Sequence, residues 1–126
     1  MNARHCLFVR TVVAWTVLCA AAVFSLWCLN GAAFSAWMSG GPPNAYPHGW
    51  ALRAQGQLAY AGAAAAAGVG LFRLIRVLPR WRRFSIGLLM AAFVLAVWPS
   101  AHRALLQDKC LDSGGRWNHD GRQCER

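Results

Sequence analysis

Residues 11–29 read TVVAWTVLCAAAVFSLWCL, and the chain stays apolar from Gly31 to Met38. No Asp, Glu, Lys, Arg or His interrupts that run. A helix needs roughly 20 apolar residues to cross about 30 Å of hydrocarbon, and residues 11–38 exceed that. This stretch sets the fold class, because two further apolar segments follow it. The second runs from about Leu58 to Leu78 and is closed by Pro79, which disfavours helical geometry in the residue before it. The third runs from about Phe84 to Trp98 and carries on past Pro99 towards His102 and Arg103. It is the shortest of the three.

The expected organisation is an all-α membrane protein with three transmembrane helices. Its segments are a cytoplasmic N-terminus (1–10), a first span with an outer extension (11–38), a Pro/Gly-rich outer loop (39–56), a second span (57–78), an Arg-rich inner loop (79–83), a third span (84–101) and an outer tail (102–126). Composition agrees. The 126 residues are 57% hydrophobic and 13% charged, too few charges to clothe a soluble protein of this size.

Orientation follows from the basic residues beside the spans. Arg4, Arg10, Arg73, Arg76, Arg80, Arg82 and Arg83 gather on one side with no acid among them. The other side carries Arg53 and a nearly neutral tail holding all four acids, Asp108, Asp112, Asp120 and Glu125. The positive-inside rule therefore places the N-terminus in the cytoplasm and the C-terminus outside. Aromatic residues fall accordingly, with Trp15 and Trp81 at the inner interface and Trp27, Trp37, Tyr60 and Trp98 at the outer one. A cleaved leader ending near Ala33 or Ser35 is the competing reading, but its apolar run is longer than the roughly 7–15 residues of a signal core.

The formal charge of +9 is accounted for by this anchoring. No recognition helix, zinc-finger spacing or aromatic-studded basic groove points to nucleic acid. Arg73, Arg76, Arg80 and Arg83 are spaced to share one helical stripe if the helix continues past Pro79, and with Arg82 they form an anchor for anionic lipid. Span two is rich in small residues, and Gly62, Ala66 and Gly70 make a small-xxx-small seam. The seam serves packing of span two between its neighbours, or else self-association into a homo-oligomer.

The tail reads Cys110-Leu-Asp-Ser-Gly-Gly-Arg-Trp-Asn-His-Asp-Gly-Arg-Gln-Cys124. Ala104–Leu111 reads as helix, Gly114 or Gly115 suits the left-handed residue that ends it, and Asp120–Gly121 signals a turn. A hairpin closed by a Cys110–Cys124 disulfide is expected, since an outer compartment keeps such bonds. A zinc site from Cys110, His119, Cys124 and His102 matches no standard spacing, so no metal and no cofactor is assigned. The proline loop and the tail emerge on one side, where Tyr46, His48, Trp50, Trp117 and His119 are the candidate recognition residues.

Catalysis lacks parts. No Asp, Glu, Lys or His lies near the centre of a span, and a Ser100–His102 pair has no third group to orient it. The Cys-x-x-x-Gly-Gly-x-Trp…Cys tail resembles an element found at the ends of small exported and membrane-anchored bacterial proteins. The size and three-span, N-in/C-out plan are similar to the immunity proteins that protect bacteria against pore-forming colicins. That resemblance implies a bacterial inner membrane, lipid as surroundings and a protein partner, namely a membrane-targeting toxin. The expected function is thus a non-enzymatic interaction protein. The alternatives are a small accessory subunit of a transporter, secretion or envelope complex and, third, a self-assembling channel.

Overall fold

A computed structural model describes residues 3–41, 43, 46–77, 82–119 and 121–125. Three long helices make up nearly all of it: α1 (Ala3–Gly40), α2 (Pro47–Val77) and α3 (Arg82–Asp112). Two short strands follow, β1 (Arg116–Asn118) and β2 (Gln123–Glu125), paired antiparallel with Trp117 opposite Cys124. Each helix contains a segment long and apolar enough to cross a membrane: Leu7–Gly40, Pro47–Arg76 and Arg83–Asp112. At 1.5 Å per residue the 38 residues of α1 extend about 57 Å and the 31 of α2 or α3 about 46 Å, well beyond a hydrocarbon core of about 30 Å.

The helices are apolar on every side, and their packing is inverted relative to a water-soluble bundle. Small residues sit between helices: Ala32 and Ala61 are each 3% exposed, and Ala14, Ala54, Ala63 and Ala92 are also buried. Large apolar side chains face outward, with Trp27 78% and Val23 67% exposed. In water such a surface would drive aggregation. In lipid it is unpenalised, and helices then associate through close packing of small residues.

α2 lies between the other two helices. On one side Gly68 admits Ala21 of α1, whose Cβ would lie 2.5 Å from a methyl group added there. The Ser25 hydroxyl donates to the Ala61 carbonyl at 3.1 Å, and Trp15 meets Phe72 edge-on with ring centroids 5.2 Å apart. The buried Ser35 hydroxyl donates to Gln57 Oε1 at 3.4 Å, tying α1 to α2. On the other side Gly62 faces Leu95, and Gly70 faces Leu88 and Leu89 of α3. Gly62 and Gly70 therefore line an intramolecular contact, while Ala66 between them is half-buried. At the far end the Arg10 guanidinium donates to the Ile75 carbonyl, capping an otherwise orphan acceptor in the last turn of α2.

Several expected boundaries move. The outer loop of 39–56 shrinks, because α1 runs to Gly40 and α2 begins at Pro47. Proline is favourable at the first helical position, where its fixed φ suits the helix and its missing N–H has no partner to lose. The Tyr46 carbonyl accepts the first bond of that helix from the Trp50 N–H at 3.2 Å. The third helix is as long as the second, 31 residues each, and the helical turns expected over Ala104–Leu111 are continuous with it. α3 passes through Pro99 without ending, and Pro99 is buried against α2, 3.6 Å from where a Gly56 Cβ would stand. Nor do the arginines form one stripe on one helix, since α2 ends at Val77 and Arg83 stands on α3. Arg80, Trp81 and the side chain of Arg82 lie outside the described residues, as does Asp120.

Candidate functional site

The beginning of α2, the end of α3 and the hairpin assemble into a cap at one end of the bundle. Its construction starts at the C-terminus of α3. Gly114 adopts a left-handed φ of 73°. The Gly115 N–H bonds to the Cys110 carbonyl at 3.0 Å and the Gly114 N–H to the Leu111 carbonyl at 2.9 Å. This is the Schellman pattern, which satisfies the last carbonyls of a helix and reverses the chain. The Ser113 hydroxyl adds a bond to the Cys110 carbonyl at 2.8 Å.

Once reversed, the chain forms the hairpin, and the disulfide Cys110–Cys124 fastens it to the helix end with Cα atoms 5.6 Å apart. Gly115 must stay small, because a methyl group there would lie 2.5 Å from the Cys124 sulfur and 3.1 Å from that of Cys110. The Gly121 N–H donates to Asn118 Oδ1 at 3.0 Å, and Asn118 Nδ2 donates to Glu125 at 2.6 Å, closing the hairpin's end. Both cysteine sulfurs are consumed, so neither is a thiolate ligand, and no group of three His, Cys, Asp or Glu side chains converges among the described residues.

The hairpin folds back onto α2 through a glycine pair. A Cβ on Gly49 would fall inside contact distance of the Gly121 carbonyl, and a Cβ on Gly121 inside that of the Tyr46 ring. Gly121 is thus there for close approach rather than for an unusual backbone angle. Among the described residues of this turn, Arg122 is the left-handed one, with φ 51°.

Two clefts result. A cavity of about 720 Å³ opens between α2, α3 and the hairpin, with His48, Leu52, His102, Leu106, Trp117 and Arg122 among its walls. A smaller one of about 100 Å³ is enclosed by Tyr46, Gly49, Trp50, Arg53 and Arg122. Of the candidate recognition residues, His48 and Trp117 line the large cavity and Tyr46 and Trp50 the small one. His119 is exposed and lines neither. Trp50 is held by Phe34 of α1 edge-on at 6.0 Å and carries the Arg53 guanidinium 4.9 Å from its ring centre. His102 stacks on Trp98 at 5.7 Å, and Ser100 is exposed.

Charge is the feature that the sequence did not disclose. Arg122 has a buried Nη1 with no hydrogen-bond partner. Burial lowers its pKa, and the nearby cations Arg103 and Arg53 lower it further, against an opposite pull from Tyr60. Nη2 of Arg103 lies 3.4 Å from the Cβ position of Gly56, so Arg103 lies back across α2. Three guanidiniums from α2, α3 and the hairpin therefore share one corner. No local spacing links them, and only the fold brings them together.

At the opposite end Arg73 lies 5.0 Å over the Phe84 ring and Arg76 5.7 Å over Phe72, while Arg83 is exposed. These are long side chains laid along aromatic surface with their charge at the helix ends, as snorkelling requires.

Comparison with known proteins finds no matching family model, no similar curated protein and no similar solved structure. The site rests on its own geometry.

Proposed function

We propose that this chain is a non-enzymatic interaction protein of a bacterial inner membrane, N-terminus inside and C-terminus outside, that engages a protein partner through the cap. In its specific form the partner is a membrane-targeting, pore-forming toxin that the chain neutralises. One observation carries the reading. Two aromatic segments far apart in sequence, Tyr46–Trp50 and the hairpin around Trp117, are locked into one face with two adjoining clefts, His48 and Trp117 lining one of about 720 Å³ and Tyr46 and Trp50 one of about 100 Å³. The disulfide and the glycine pair hold that face, which is the preorganisation that lowers the cost of binding. Aromatic residues with apolar bodies and polar tips are the side chains most often found as binding anchors.

The orientation is supported by the arginine asymmetry and by the disulfide, which persists outside the reducing cytoplasm. Survival of expressing and non-expressing cells challenged with pore-forming toxins tests the reading, any toxin gene found beside this one being the first to try. Protection lost in Trp50→Ala and Trp117→Ala is the expected result, and equal killing with and without the wild-type chain overturns it.

A second reading, an accessory subunit of a larger membrane complex, draws on α1. There an apolar groove of about 490 Å³ is formed by Cys19, Ala20, Val23, Phe24 and Trp27 of that helix alone. Purification in mild detergent separates the two readings. A stoichiometric complex present without challenge supports the subunit, and a partner bound only on challenge supports toxin neutralisation.

A further inference from the structure

Among the described residues, the cap brings three guanidiniums together without an acid paired to any of them. Arg53 comes from the second turn of α2, Arg103 from the penultimate part of α3 and Arg122 from the hairpin, and none of them forms an ion pair with a described acid. Arg53 and Arg122 form two walls of the cleft of about 100 Å³, whose remaining walls are Tyr46, Gly49 and Trp50. Arg122 also reaches the larger cavity, with Nη1 enclosed and unpartnered. A buried donor on a cation that lacks a partner is costly, and native structures supply one from a neighbour, water or an ion.

Backbone geometry sharpens the point. Arg122 holds φ at 51°, in the left-handed region where glycine and asparagine are the residues of low strain. At this one position the chain carries a long cation instead, in a conformation that favours another residue, beside two like charges. A residue that strains the backbone, repels its neighbours and leaves a donor unpaired is explained by what it can bind. A guanidinium presents planar paired donors that match the oxygens of a phosphate.

The geometry points to a phosphate-type oxyanion site in the Arg53–Arg122 cleft, with Arg103 adding its field from α3 and the Tyr46 and Trp50 rings walling the cleft. The ligand is either the phosphate of an anionic lipid headgroup or a free phosphate. The larger cavity alongside, with Leu52, Leu106 and Trp117 in its walls, accommodates apolar matter attached to it. This site does not depend on the toxin reading and is tested without any protein partner.

The full chain is purified in a neutral detergent and its melting is followed while sodium phosphate replaces sodium chloride at constant ionic strength. In parallel it is placed in nanodiscs of phosphatidylcholine alone or with one-third phosphatidylglycerol, and retained lipid is weighed by native mass spectrometry. A saturable rise in Tm with phosphate identifies a free anion as ligand, and selective retention of phosphatidylglycerol identifies the headgroup. Asparagine at 122 keeps the left-handed backbone accessible while deleting the guanidinium, so Arg122→Asn should fold and, without anion, melt no lower than wild type. It should weaken the anion response roughly ten- to a hundred-fold, the range for losing a charged hydrogen-bonding partner. Arg103→Gln should weaken it by a smaller factor.

The proposal is overturned if neither phosphate nor phosphatidylglycerol acts beyond chloride and phosphatidylcholine, or if Arg122→Asn responds as wild type does. It is also overturned if Arg122→Asn melts well below wild type in chloride, which would mean that an acid within the chain already answers the charge.

Discussion

Replacing Gly49 by alanine sets two effects of opposite sign against each other. Gly49 lies in the first turn of α2, where alanine is the better helix former by up to about 1 kcal/mol. If helix propensity governed, the variant would be more stable. The new methyl group, however, would sit inside contact distance of the Gly121 carbonyl, and its neighbour is backbone rather than the end of a flexible side chain. That backbone cannot rotate away, because the hairpin is tied to α3 through Cys124. Extra carbons forced into well-packed sites cost about 1–3 kcal/mol. With the full helix gain subtracted the difference is a net loss of about 0–2 kcal/mol, which increases the undocked population of the hairpin by up to roughly 30-fold.

Amide hydrogen exchange in nanodiscs, read on peptides covering residues 46–55 and 116–125, reports this directly, because both segments lose shielding together. Gly87→Ala is the matched control. Gly87 lies within α3 with no neighbour inside 4 Å of its Cβ position, so alanine there should leave Tm unchanged or raise it. Unchanged exchange in Gly49→Ala with a raised Tm would refute the reasoning, since it would mean that the two backbones do not cross where the cap requires them to.

Removing the disulfide as Cys110→Ser with Cys124→Ser should destabilise hairpin closure by about 3 kcal/mol in the chain-entropy model for a separation of 14 residues. Exchange of the strand amides should rise while far-UV circular dichroism keeps its helical signal. Gly68→Val should lower Tm in detergent by an amount equivalent to about 1–3 kcal/mol, because Ala21 of the facing helix blocks the added carbon at 2.5 Å. Gln57→Leu removes the Ser35 contact and should cost only about 0.6 kcal/mol, the typical worth of one interhelical hydrogen bond in a membrane. In intact cells, a membrane-impermeant maleimide should label neither Cys110 nor Cys124 until reductant is added.

The three spans were legible because length and apolarity are local quantities that need no partner to be read. Their ends were harder, for a common reason. Pro47, Gly49 and Gly56 read as breakers, yet Pro47 opens α2 and the glycines let other chain segments approach it. The third segment reads as carrying on past Pro99 as far as His102 and Arg103, and α3 runs further, to Asp112, because the residues beyond Pro99 pack on α2 and form the cap. Gly114 could be read from its doublet, since the Schellman turn is a local motif. Arg122 could not, because the Asp120–Gly121 turn signal draws attention to the residues before it. The cluster of Arg53, Arg103 and Arg122 has no sequence signature at all. Each counted in the charge balance as an isolated outer residue, and only the fold-back of the hairpin makes them neighbours.

That fold-back depends on a chain of geometric steps, each needing the one before. α3 must run thirteen residues past Pro99, about 20 Å of helix, to carry Cys110 to the level of the first turns of α2. The left-handed Gly114 then turns the strand back along α3, and the disulfide fixes how far the hairpin can swing. Only within that arc does Gly121 meet Gly49, and only then does the next residue, Arg122, enter the cleft beside Arg53. The cap therefore links α2 to α3 directly, and α1 reaches it through Phe34 against Trp50. An anion held between Arg53 and Arg122 would bridge α2 and the hairpin, reinforcing the same joint that the glycine pair makes. Anion binding and the Gly49→Ala substitution should accordingly oppose each other. Phosphate or phosphatidylglycerol should restore part of the exchange protection that the methyl group removes, and Arg122→Asn in the same chain should abolish that rescue.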